Sequence, residues 1–348
     1  MADRAIGRPG PGVRLDGRRV LLVLGTSAGG VGVHVRSLAA GLRERGMRVE
    51  VAAPASTQAV FGFADHVEVA VGGSPNPVRD ARALRALRRA SVRVDLVHAH
   101  GLRASALAVL ASGPPVVSSW HNPGAGRTGA ALERLVARRA DVVLAASDDL
   151  AARARAAGAR DVRPAPVAPP PPTLTGRDPG LGSPLVLAVG RLHPQKGYDV
   201  LVRALPHLGE AVVAVAGDGP LEAELRAAAP QVRWLGRRDD VGDLYAVADV
   251  VVLPSVWEAR SLTAQEALRA GRPLVATAVG GLPGLVGDGA VLVPPGDPDA
   301  LGRAVRRLLD DPVEAATLAA RGRAVAATWP DEADAVAQAA ALYAELLG

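Results

Sequence analysis

Cysteine is absent from the 348-residue chain. This absence excludes a disulfide scaffold, a thiol nucleophile and a cysteine-ligated metal site. Lysine is nearly absent as well, since Lys196 is the only lysine among 40 basic residues. No apolar run approaches the ~20 residues that a bilayer-spanning helix needs. We therefore expect a cytoplasmic protein.

The first half of the chain carries a net positive charge and the second half a net negative charge. Residues 1–180 hold 25 arginines against 14 acidic residues, whereas 181–348 hold 15 basic against 21 acidic residues. Such asymmetry indicates that the two halves do different jobs. The sign changes at a proline-rich segment, Pro164 to Pro184, whose composition favours an extended linker. The predicted division is a first domain over 1–165, a linker over 166–184, a second domain over 185–328 and a final helix over 329–348.

Both halves alternate short apolar runs with amphipathic patterns of helical period. The predicted strands are Val20–Leu24, Val49–Ala53, Leu96–Ala99, Val116–Ser118, Val142–Ala145, Leu185–Val189, Ala211–Ala216, Val232–Leu235, Val250–Leu253 and Leu274–Ala276. Apolar strands separated by helices are typical of parallel sheets covered on both faces. The sequence therefore predicts an α/β protein with two doubly wound, Rossmann-like domains. Ligands of such sheets bind beyond the carboxyl ends of the strands.

The loop after the first predicted strand is rich in glycine. It reads Gly25-Thr-Ser-Ala-Gly29-Gly30-Val-Gly32-Val-His34 and opens a predicted helix. Exposed N–H groups and the helix dipole make such a loop suitable for an anion. It does not match the Gly-x-Gly-x-x-Gly fingerprint of dinucleotide-binding folds. The alternative is that the glycines serve only a tight turn.

Two cations flank the loop after strand Leu185–Val189. It reads Gly190-Arg191-Leu-His-Pro194-Gln-Lys196-Gly197 and precedes a predicted helix. A planar guanidinium and a compact ammonium suit the oxygens of a diphosphate. The loop therefore predicts a diphosphate site, and a purely structural pair of cations is the alternative.

A third glycine loop follows strand Ala211–Ala216 and reads Gly217-Asp218-Gly219-Pro220. Glycine lets a backbone approach a ligand closely, and Pro220 suits the first position of a helix. Asp218 either faces a ligand or only caps that helix.

Two glutamates eight residues apart bracket a loop and the start of a helix, at Glu258 and Glu266. Carboxylates placed there can accept hydrogen bonds from sugar and ribose hydroxyls. Two structural alternatives remain. Thr263-x-x-Glu266 fits a capping box, in which the glutamate satisfies only a backbone N–H, and Glu258 could simply pair with Arg260.

Histidines stand at the ends of two first-domain strands. His98 and His100 are either functional or buried core residues with satisfied hydrogen bonds. His121, next to Asn122, closes a strand, and for this residue a functional role is favoured.

Six arginines predict a basic face on one helix of the first domain. Most such rows are solvated surfaces, but this one could also bind anionic lipid headgroups or a phosphorylated acceptor. Nucleic-acid binding is disfavoured because no aromatic residues are interleaved. The arginines are Arg79, Arg82, Arg85, Arg88, Arg89 and Arg93.

The ordered set of motifs resembles the family-4 retaining glycosyltransferases of GT-B architecture, also called group 1. The resemblance spans the chain from Arg18 onward. The matching segments are Gly29-Gly30…His34-Val35, Val97-His98-Ala-His100, Val116-Val117-Ser-Ser-Trp-His121, Val143-Leu-Ala-Ala-Ser147, Gly190-Arg191…Lys196-Gly197, Gly217-Asp-Gly-Pro220, Glu258-x7-Glu266, Gly280-Gly281-Leu-Pro283 and Pro295-Gly296-Asp297.

The resemblance implies specific roles for these residues. Arg191 and Lys196 would hold the diphosphate of a nucleotide sugar, and Glu266 its ribose hydroxyls. Glu258 would contact the transferred sugar, and His121 would reach that sugar from the first domain. The implied catalytic set is Glu258, His121, Arg191 and Lys196. The implied donor-binding residues are Gly29, Gly30, Gly190, Arg191, Lys196, Gly217, Asp218, Gly219, Glu258, Ser261, Leu262, Thr263 and Glu266. The implied acceptor-binding residues are Gly30, His34, His100, His121 and Asn122.

The implied reaction is hexose transfer to an acceptor hydroxyl with retention of anomeric configuration. The donor would be a nucleotide-diphosphate sugar, and the acceptor a sugar, polyol, natural product or lipid-linked molecule. Neither a metal ion nor another cofactor would take part. The two domains would face a central cleft, the linker would permit their closure, and the final helix would return to the first domain.

The chain departs from the family pattern at the first glutamate. The family usually has Glu-Gly-Phe-Gly, whereas this chain has Glu258-Ala-Arg-Ser261. Side chains therefore occupy positions where glycine gives the donor clearance. Gly32 also replaces a frequent glutamate in the first loop. Three rivals remain: a nicotinamide oxidoreductase, disfavoured by the missing fingerprint; a nucleotide-sugar isomerase of the same architecture; and a catalytically silent nucleotide-sugar binder.

Overall fold

The structure is a computed structural model that describes residues 15–27, 29–165, 167–168 and 173–348. The chain folds as two compact units. Unit 1 takes the chain up to residue 169 together with Pro330–Gly348, and unit 2 is Pro170–Trp329. Within the described ranges, no helix is both long and apolar enough to cross a membrane.

Unit 1 contains a seven-stranded parallel sheet with the order β3-β2-β1-β4-β5-β6-β7. Its strands are β1 (Arg19–Leu24), β2 (Arg48–Ala53), β3 (His66–Glu68), β4 (Leu96–His100), β5 (Val116–Trp120), β6 (Val142–Ala145) and β7 (Val162–Pro164). The helices between them are α1 (Gly30–Glu44), α2 (Ala55–Phe61), α3 (Pro77–Ser91), α4 (Leu102–Ala111), α5 (Gly126–Arg139) and α6 (Asp148–Ala156).

Unit 2 contains a six-stranded parallel sheet with the order β10-β9-β8-β11-β12-β13. Its strands are β8 (Leu185–Val189), β9 (Val212–Ala216), β10 (Arg233–Gly236), β11 (Val250–Leu253), β12 (Leu274–Thr277) and β13 (Val291–Val293). Its helices are α7 (Tyr198–Ala204), α8 (Glu222–Ala228), α9 (Val241–Val247), α10 (Leu262–Arg269), α11 (Leu282–Val286), α12 (Pro298–Asp310) and α13 (Pro312–Ala326). The predicted α/β class with two doubly wound parallel sheets is confirmed.

Each sheet has an apolar core on both of its faces. In β1, Leu22 packs with Leu38 of α1, whereas Leu21, on the opposite face, packs with Leu87 of α3. Side chains of successive strand residues point to opposite faces, so a strand buried on both sides must be apolar throughout. Full burial of one leucine contributes about 1.5–3 kcal/mol. The continuous apolar runs of the sequence follow from this two-sided burial.

The last helix, α14 (Glu332–Leu347), packs in unit 1. It begins with a capping box in which Asp331 and Asp334 satisfy each other's backbone N–H groups. Its Val336 side chain lies against α1 at Gly41, where a Cβ atom would stand 2.6 Å from Val336 Cγ2. The carboxylate of Glu345 pairs with Arg163 of β7 at 2.6 Å. The small residue on α1 therefore permits close helix packing.

Most of the described part of the predicted linker, residues 173–184, lies in unit 2, whereas residues 167–168 lie in unit 1. The buried carboxylate of Asp243 accepts hydrogen bonds from the N–H of Thr175 at 2.9 Å, from the N–H of Gly176 at 3.0 Å and from the Thr175 hydroxyl at 2.5 Å. Leu181 is buried in the unit 2 core. This segment is thus fixed to unit 2 despite its proline content. Pro166 and Pro169–Pro172 lie outside the described residues.

Several short elements were not predicted from the sequence. Three of them are three-residue strands, β3, β7 and β13, which are too short to show a periodic pattern. Helix α6 was missed because it buries only Leu150 and Ala154, so it lacks a broad apolar stripe. Helices α2 and α11 were missed because, with seven and five residues, each is too short to show a helical period.

Candidate functional site

The loops after β8 and β9 are tied together at the carboxyl edge of the unit 2 sheet. The N–H of Leu192 donates to the carbonyl of Asp218 at 2.7 Å. Gly217 and Gly219 have φ values of +146° and +155°, and a Cβ atom at either would collide with the backbone of the β8 loop. Glycine is required there by the close approach of two backbones. Asp218 does not cap the next helix, because α8 begins only at Glu222.

The β8 loop is tied in the same way to the loop after β11. Lys196 ends a short 3-10 turn, and Gly197 follows with a φ of +63°. A Cβ atom at Gly197 would collide with the carbonyl of Pro254. Gln195 donates from its side chain to the carbonyl of Trp257 at 2.9 Å. The loop therefore holds the lysine beside the first glutamate of the predicted pair.

Lys196 and Glu258 form a largely buried ion pair. The Nζ atom of Lys196 lies 2.6 Å from Oε1 of Glu258, and their side chains are 17% and 8% exposed. Ser255 donates from its hydroxyl to the same oxygen at 2.7 Å. The carbonyl of Glu258 accepts from the N–H of Gly281 at 2.8 Å, which joins the loop after β12 to this group. The two opposite charges therefore neutralise each other within the pair.

Glu266 lies on α10 with its carboxylate half-buried. Its Oε2 accepts a hydrogen bond from the hydroxyl of Tyr245 at 3.0 Å. Burial raises the pKa of Glu266 to about 7, although Tyr245, Arg269 and Lys196 act in the opposite direction. A carboxylate with this pKa changes charge near neutral pH.

The capping-box alternative for Glu266 is wrong. Helix α10 begins at Leu262, and its N-cap is Ser261, whose Oγ accepts from the N–H of Ala264 at 3.3 Å. Thr263 lies inside the helix and donates from its hydroxyl to the carbonyl of Val189 at 3.2 Å. The glutamate therefore stands beyond the capping positions.

Arg191 leaves the end of β8 with an exposed side chain.

Four histidines come together in unit 1. His98 and His100 lie on one face of β4, and His121 follows β5. The rings of His98 and His100 are 4.1 Å apart between centroids, and Nδ1 of His100 lies 3.4 Å from Nε2 of His121. His34 of α1 completes the group, with its ring 5.7 Å from that of His100. Asn122 is exposed beside this cluster.

The four rings are neutral at pH 7. Burial lowers the pKa of His34 to about 4 and that of His121 to about 3. The pKa values of His98 and His100 are also lowered, by burial and by the neighbouring histidines. The interpretation of satisfied core histidines holds for His98, whose two ring nitrogens both have partners. It is wrong for His100, because its Nε2 is buried with no hydrogen-bond partner among the described residues.

The first glycine loop leads into α1. Gly29 is the N-cap of the helix and Gly30 its first residue. Gly32 faces Phe61 so closely that a Cβ atom would overlap the ring. The family's frequent glutamate therefore has no room here. Ala28 of this loop lies outside the described residues.

The predicted basic face of α3 is only partly correct. Arg79 turns inward, with its guanidinium against Gly72 and a hydrogen bond to the carbonyl of Ser74. Arg93 lies beyond the end of the helix and pairs with Glu50 at 3.8 Å. The exposed row consists of Arg82, Arg85, Arg88 and Arg89.

Two family models match the chain. Residues 29–172 match the glycosyl transferase 4-like domain, and residues 183–311 match the glycosyl transferases group 1 model. The chain is 32% identical to D-inositol 3-phosphate glycosyltransferase 1 of Catenulispora acidiphila over 85% of this chain and 86% of that protein. It belongs to the group 1 glycosyltransferases. Other relatives match over a shorter part.

Group 1 relatives that match over a shorter part include the 2-deoxystreptamine glucosyltransferase of Streptomyces kanamyceticus, with 35% identity. An uncharacterized glycosyltransferase of Methanocaldococcus jannaschii is 38% identical. The match spans 38% of this chain and of the first protein, and 36% of this chain and of the second. The chain thus spans little more than a third of these two relatives.

Solved structures share the group 1 fold over most of the chain. HepE of Anabaena, in complex with UDP-glucose, has a TM-score of 0.78 at 23% identity, covering 94% of this chain and 99% of that one. Sucrose-phosphate synthase of Thermosynechococcus elongatus has a TM-score of 0.79 at 22% identity, with coverages of 94% and 99%. The architecture is GT-B.

The chain has only three tyrosines, and the sequence-based reasoning gave none of them a role. All three are buried. Two of them are hydrogen-bonded to residues of the unit 2 loops and α10, and the third to the histidine cluster of unit 1. Tyr198 donates to the carbonyl of Gly190 at 3.1 Å, and Tyr245 to Glu266. Tyr343 contacts His98. Their scarcity in the sequence was the one signal that could have drawn attention to them.

Proposed function

We propose that this group 1 glycosyltransferase moves a hexose from a nucleotide-diphosphate sugar to an acceptor hydroxyl with retention of configuration. The buried Lys196–Glu258 ion pair carries the proposal. A buried ion pair contributes little to stability on average, because desolvation of both charges offsets their attraction. The position of the pair among three glycine-rich loops is better explained by a ligand that replaces the contact between Lys196 and Glu258 when it binds.

The negative charge of a diphosphate can replace that of Glu258 as the partner of Lys196. When the donor binds, Lys196 turns its ammonium to the diphosphate, together with the exposed fork of Arg191. Glu258 then accepts hydrogen bonds from hydroxyls of the transferred sugar. Glu266, with its carboxylate held by Tyr245, accepts from the ribose hydroxyls. The glycines at 190, 217 and 219 keep side chains away from the phosphates.

The transfer itself needs charge stabilisation more than a protein nucleophile. The bond between the anomeric carbon and the diphosphate oxygen breaks, and the acceptor oxygen bonds to the same face of that carbon. The acceptor proton passes to the departing diphosphate. Lys196 and Arg191 stabilise the charge that develops there, and loss of one such donor costs about 10²–10³ in rate. The proposal includes no metal ion, so turnover should persist in EDTA.

The neutral histidines of unit 1 serve the acceptor and the transferred sugar. His121 contacts the sugar, while His34, His100 and Asn122 contact the acceptor. The relatives named for D-inositol 3-phosphate and 2-deoxystreptamine suggest polyhydroxylated six-membered rings as the first acceptors to test. UDP-glucose is the first donor to test, since HepE of the same fold binds it.

Donor binding is tested first by calorimetry with UDP, GDP, ADP and NAD. We expect one nucleoside diphosphate to bind and NAD to fail. Lys196→Ala should weaken that binding and lower kcat/KM by about 10²-fold. Arg226→Ala is the matched control, because it removes an exposed ion pair with Glu222 elsewhere in unit 2. Thermal stability is measured in parallel, since the lysine variant leaves Glu258 without its cation.

Turnover and stereochemistry are then measured with each acceptor. Anomeric proton NMR of the product should show the configuration of the donor. Inversion would overturn the retaining mechanism. Donor binding without turnover on any acceptor would favour a silent binder instead. Wild-type kcat/KM in Lys196→Ala would remove the assigned role of the ion pair.

A further inference from the structure

His98 is held at both of its ring nitrogens by groups from two elements. Nδ1 lies 2.5 Å from the hydroxyl of Tyr343 on α14, and Nε2 lies 2.7 Å from Oγ of Ser119 on β5. His98 is 1% exposed, Tyr343 is fully buried and Ser119 is 1% exposed. Contacts at both nitrogens hold the plane of the His98 ring, and because a hydroxyl can donate or accept, either neutral tautomer satisfies both contacts.

The ring of His98 lies against the ring of His100, the next histidine along β4. His98 and His100 are two residues apart on β4, and their ring centroids lie 4.1 Å apart with the ring planes tilted by 33°. His100 in turn directs Nδ1 toward Nε2 of His121 at 3.4 Å. The rings of His100 and His121 are nearly parallel, at 12°. The contacts form an unbroken path from the phenol on α14 to His121.

We propose that Tyr343 is a positioning residue that orients His121 through His98 and His100. The proposal rests on the proposed function for the part that His121 plays in transfer. A chain of buried hydrogen bonds and stacked rings transmits orientation because each member has few alternative partners. Tyr343 is suited to this because its ring packs in the apolar core of unit 1 while its hydroxyl reaches the histidine. Phenylalanine at this position would keep the packing and remove only the hydroxyl.

The test replaces each of the two groups that hold His98. Tyr343→Phe and Ser119→Ala each leave one nitrogen of His98 without its partner. We expect both variants to lower kcat by about 10-fold, less than the ~10²-fold that a 1 Å misplacement can cost. The Kd of the nucleoside diphosphate, which lacks the transferred sugar, should stay at the wild-type value, since neither residue lies in unit 2. Imidazole ¹⁵N NMR should show shifted signals for both His98 and His121.

The control removes a different contact of the same helix. Glu345→Gln breaks the ion pair of α14 with Arg163 at a side chain that is 53% exposed, and it leaves the hydroxyl of Tyr343 in place. It should keep wild-type kcat and wild-type His121 signals, even where its melting temperature falls as far as that of Tyr343→Phe. Equal loss of kcat in this control would show that a loosened helix, not the phenol, causes the effect.

The NMR and kinetic readings separate two failures. If wild-type protein consumes no donor, the proposed function fails, and the His121 signals still decide whether Tyr343 controls that ring. If both folded variants keep the wild-type His121 signals, the positioning role is refuted. If Tyr343→Phe does not fold, Ser119→Ala alone decides by the same criteria.

Discussion

Lowering the pH from 7 to 5 should destabilise unit 1 more than unit 2, because unit 1 buries four neutral histidines. Burial lowers the pKa of His34 to about 4 and of His121 to about 3. In the unfolded chain both return to about 6.5. The unfolded state therefore binds more protons than the folded state below pH 6.5. The free energy of unfolding falls with pH from about 6.5 toward about 4.

The size of this effect follows from the two pKa values. At pH 5, protonation of an unfolded-state histidine with a pKa of about 6.5 favours unfolding by about 2 kcal/mol when the folded-state pKa is 4 or lower. His34 and His121 together thus contribute about 4 kcal/mol. A domain of this size loses about 2–4 °C in Tm per kcal/mol, so we expect a fall of about 8–16 °C. The lowered pKa values of His98 and His100 act in the same direction.

The measurement is calorimetric unfolding at pH 7, 6 and 5 for the wild type and two variants. His121→Gln removes one titrating group and should reduce the pH dependence by about 2 kcal/mol between pH 7 and 5. His207→Gln is the control, because that half-exposed histidine of unit 2 pairs with Asp299 at the surface. The quantity compared is the slope with pH, which does not depend on what either substitution costs at pH 7.

A wild-type transition that is independent of pH would refute this reasoning. So would equal slopes for His121→Gln and His207→Gln. In either case the histidine cluster would be charged or solvated in the folded chain, and the description of four neutral rings would be wrong.

Three further predictions concern unit 2. Tyr245→Phe removes a hydrogen bond that lowers the pKa of Glu266, so the pH above which nucleotide binds tightly should move to higher values in a calorimetric titration over pH 6–9. Gly197→Ala should destabilise unit 2 far more than Gly236→Ala in urea unfolding, although both have φ near +65°. An added Cβ atom would collide with a backbone carbonyl only at position 197. Gly236→Ala should therefore lower the free energy of unfolding by only about 1–2 kcal/mol. Asp243→Ala should cost about 2–3 kcal/mol, since it removes three hydrogen bonds to the preceding segment; an unchanged Tm would contradict this.

Much of the fold could be predicted because both sheets are buried on two faces. The apolar strands differ from their predicted bounds by only one or two residues, as for β1 and β5. Three-residue edge strands carry too few side chains for any pattern to show. Residues 173–184, part of the predicted linker over 166–184, are held in unit 2 by distant contacts, among them the carboxylate of Asp243 and the burial of Leu181. Sequence gives no sign of such a long-range contact.

The candidate site was predicted as a set of residues without their mutual contacts. Lys196 and Glu258 were both identified, but nothing in their spacing of 62 residues indicates that they pair directly. The capping-box pattern at Thr263 was misleading because the chain turns into the helix two residues earlier, at Ser261. The phenol of Tyr343 could not be predicted, since its partner His98 is 245 residues away.

The loops after β8, β9, β11 and β12 are joined to one another by backbone hydrogen bonds, and this has a thermodynamic consequence. A ligand that binds between flexible loops loses affinity, because ordering the loops costs conformational entropy. Here glycines at positions 197, 217, 219 and 280 let the backbones approach closely enough to hydrogen-bond to one another. Under the proposed function, a nucleotide sugar would bind to loops that these hydrogen bonds hold together, so ordering the loops would cost it less affinity.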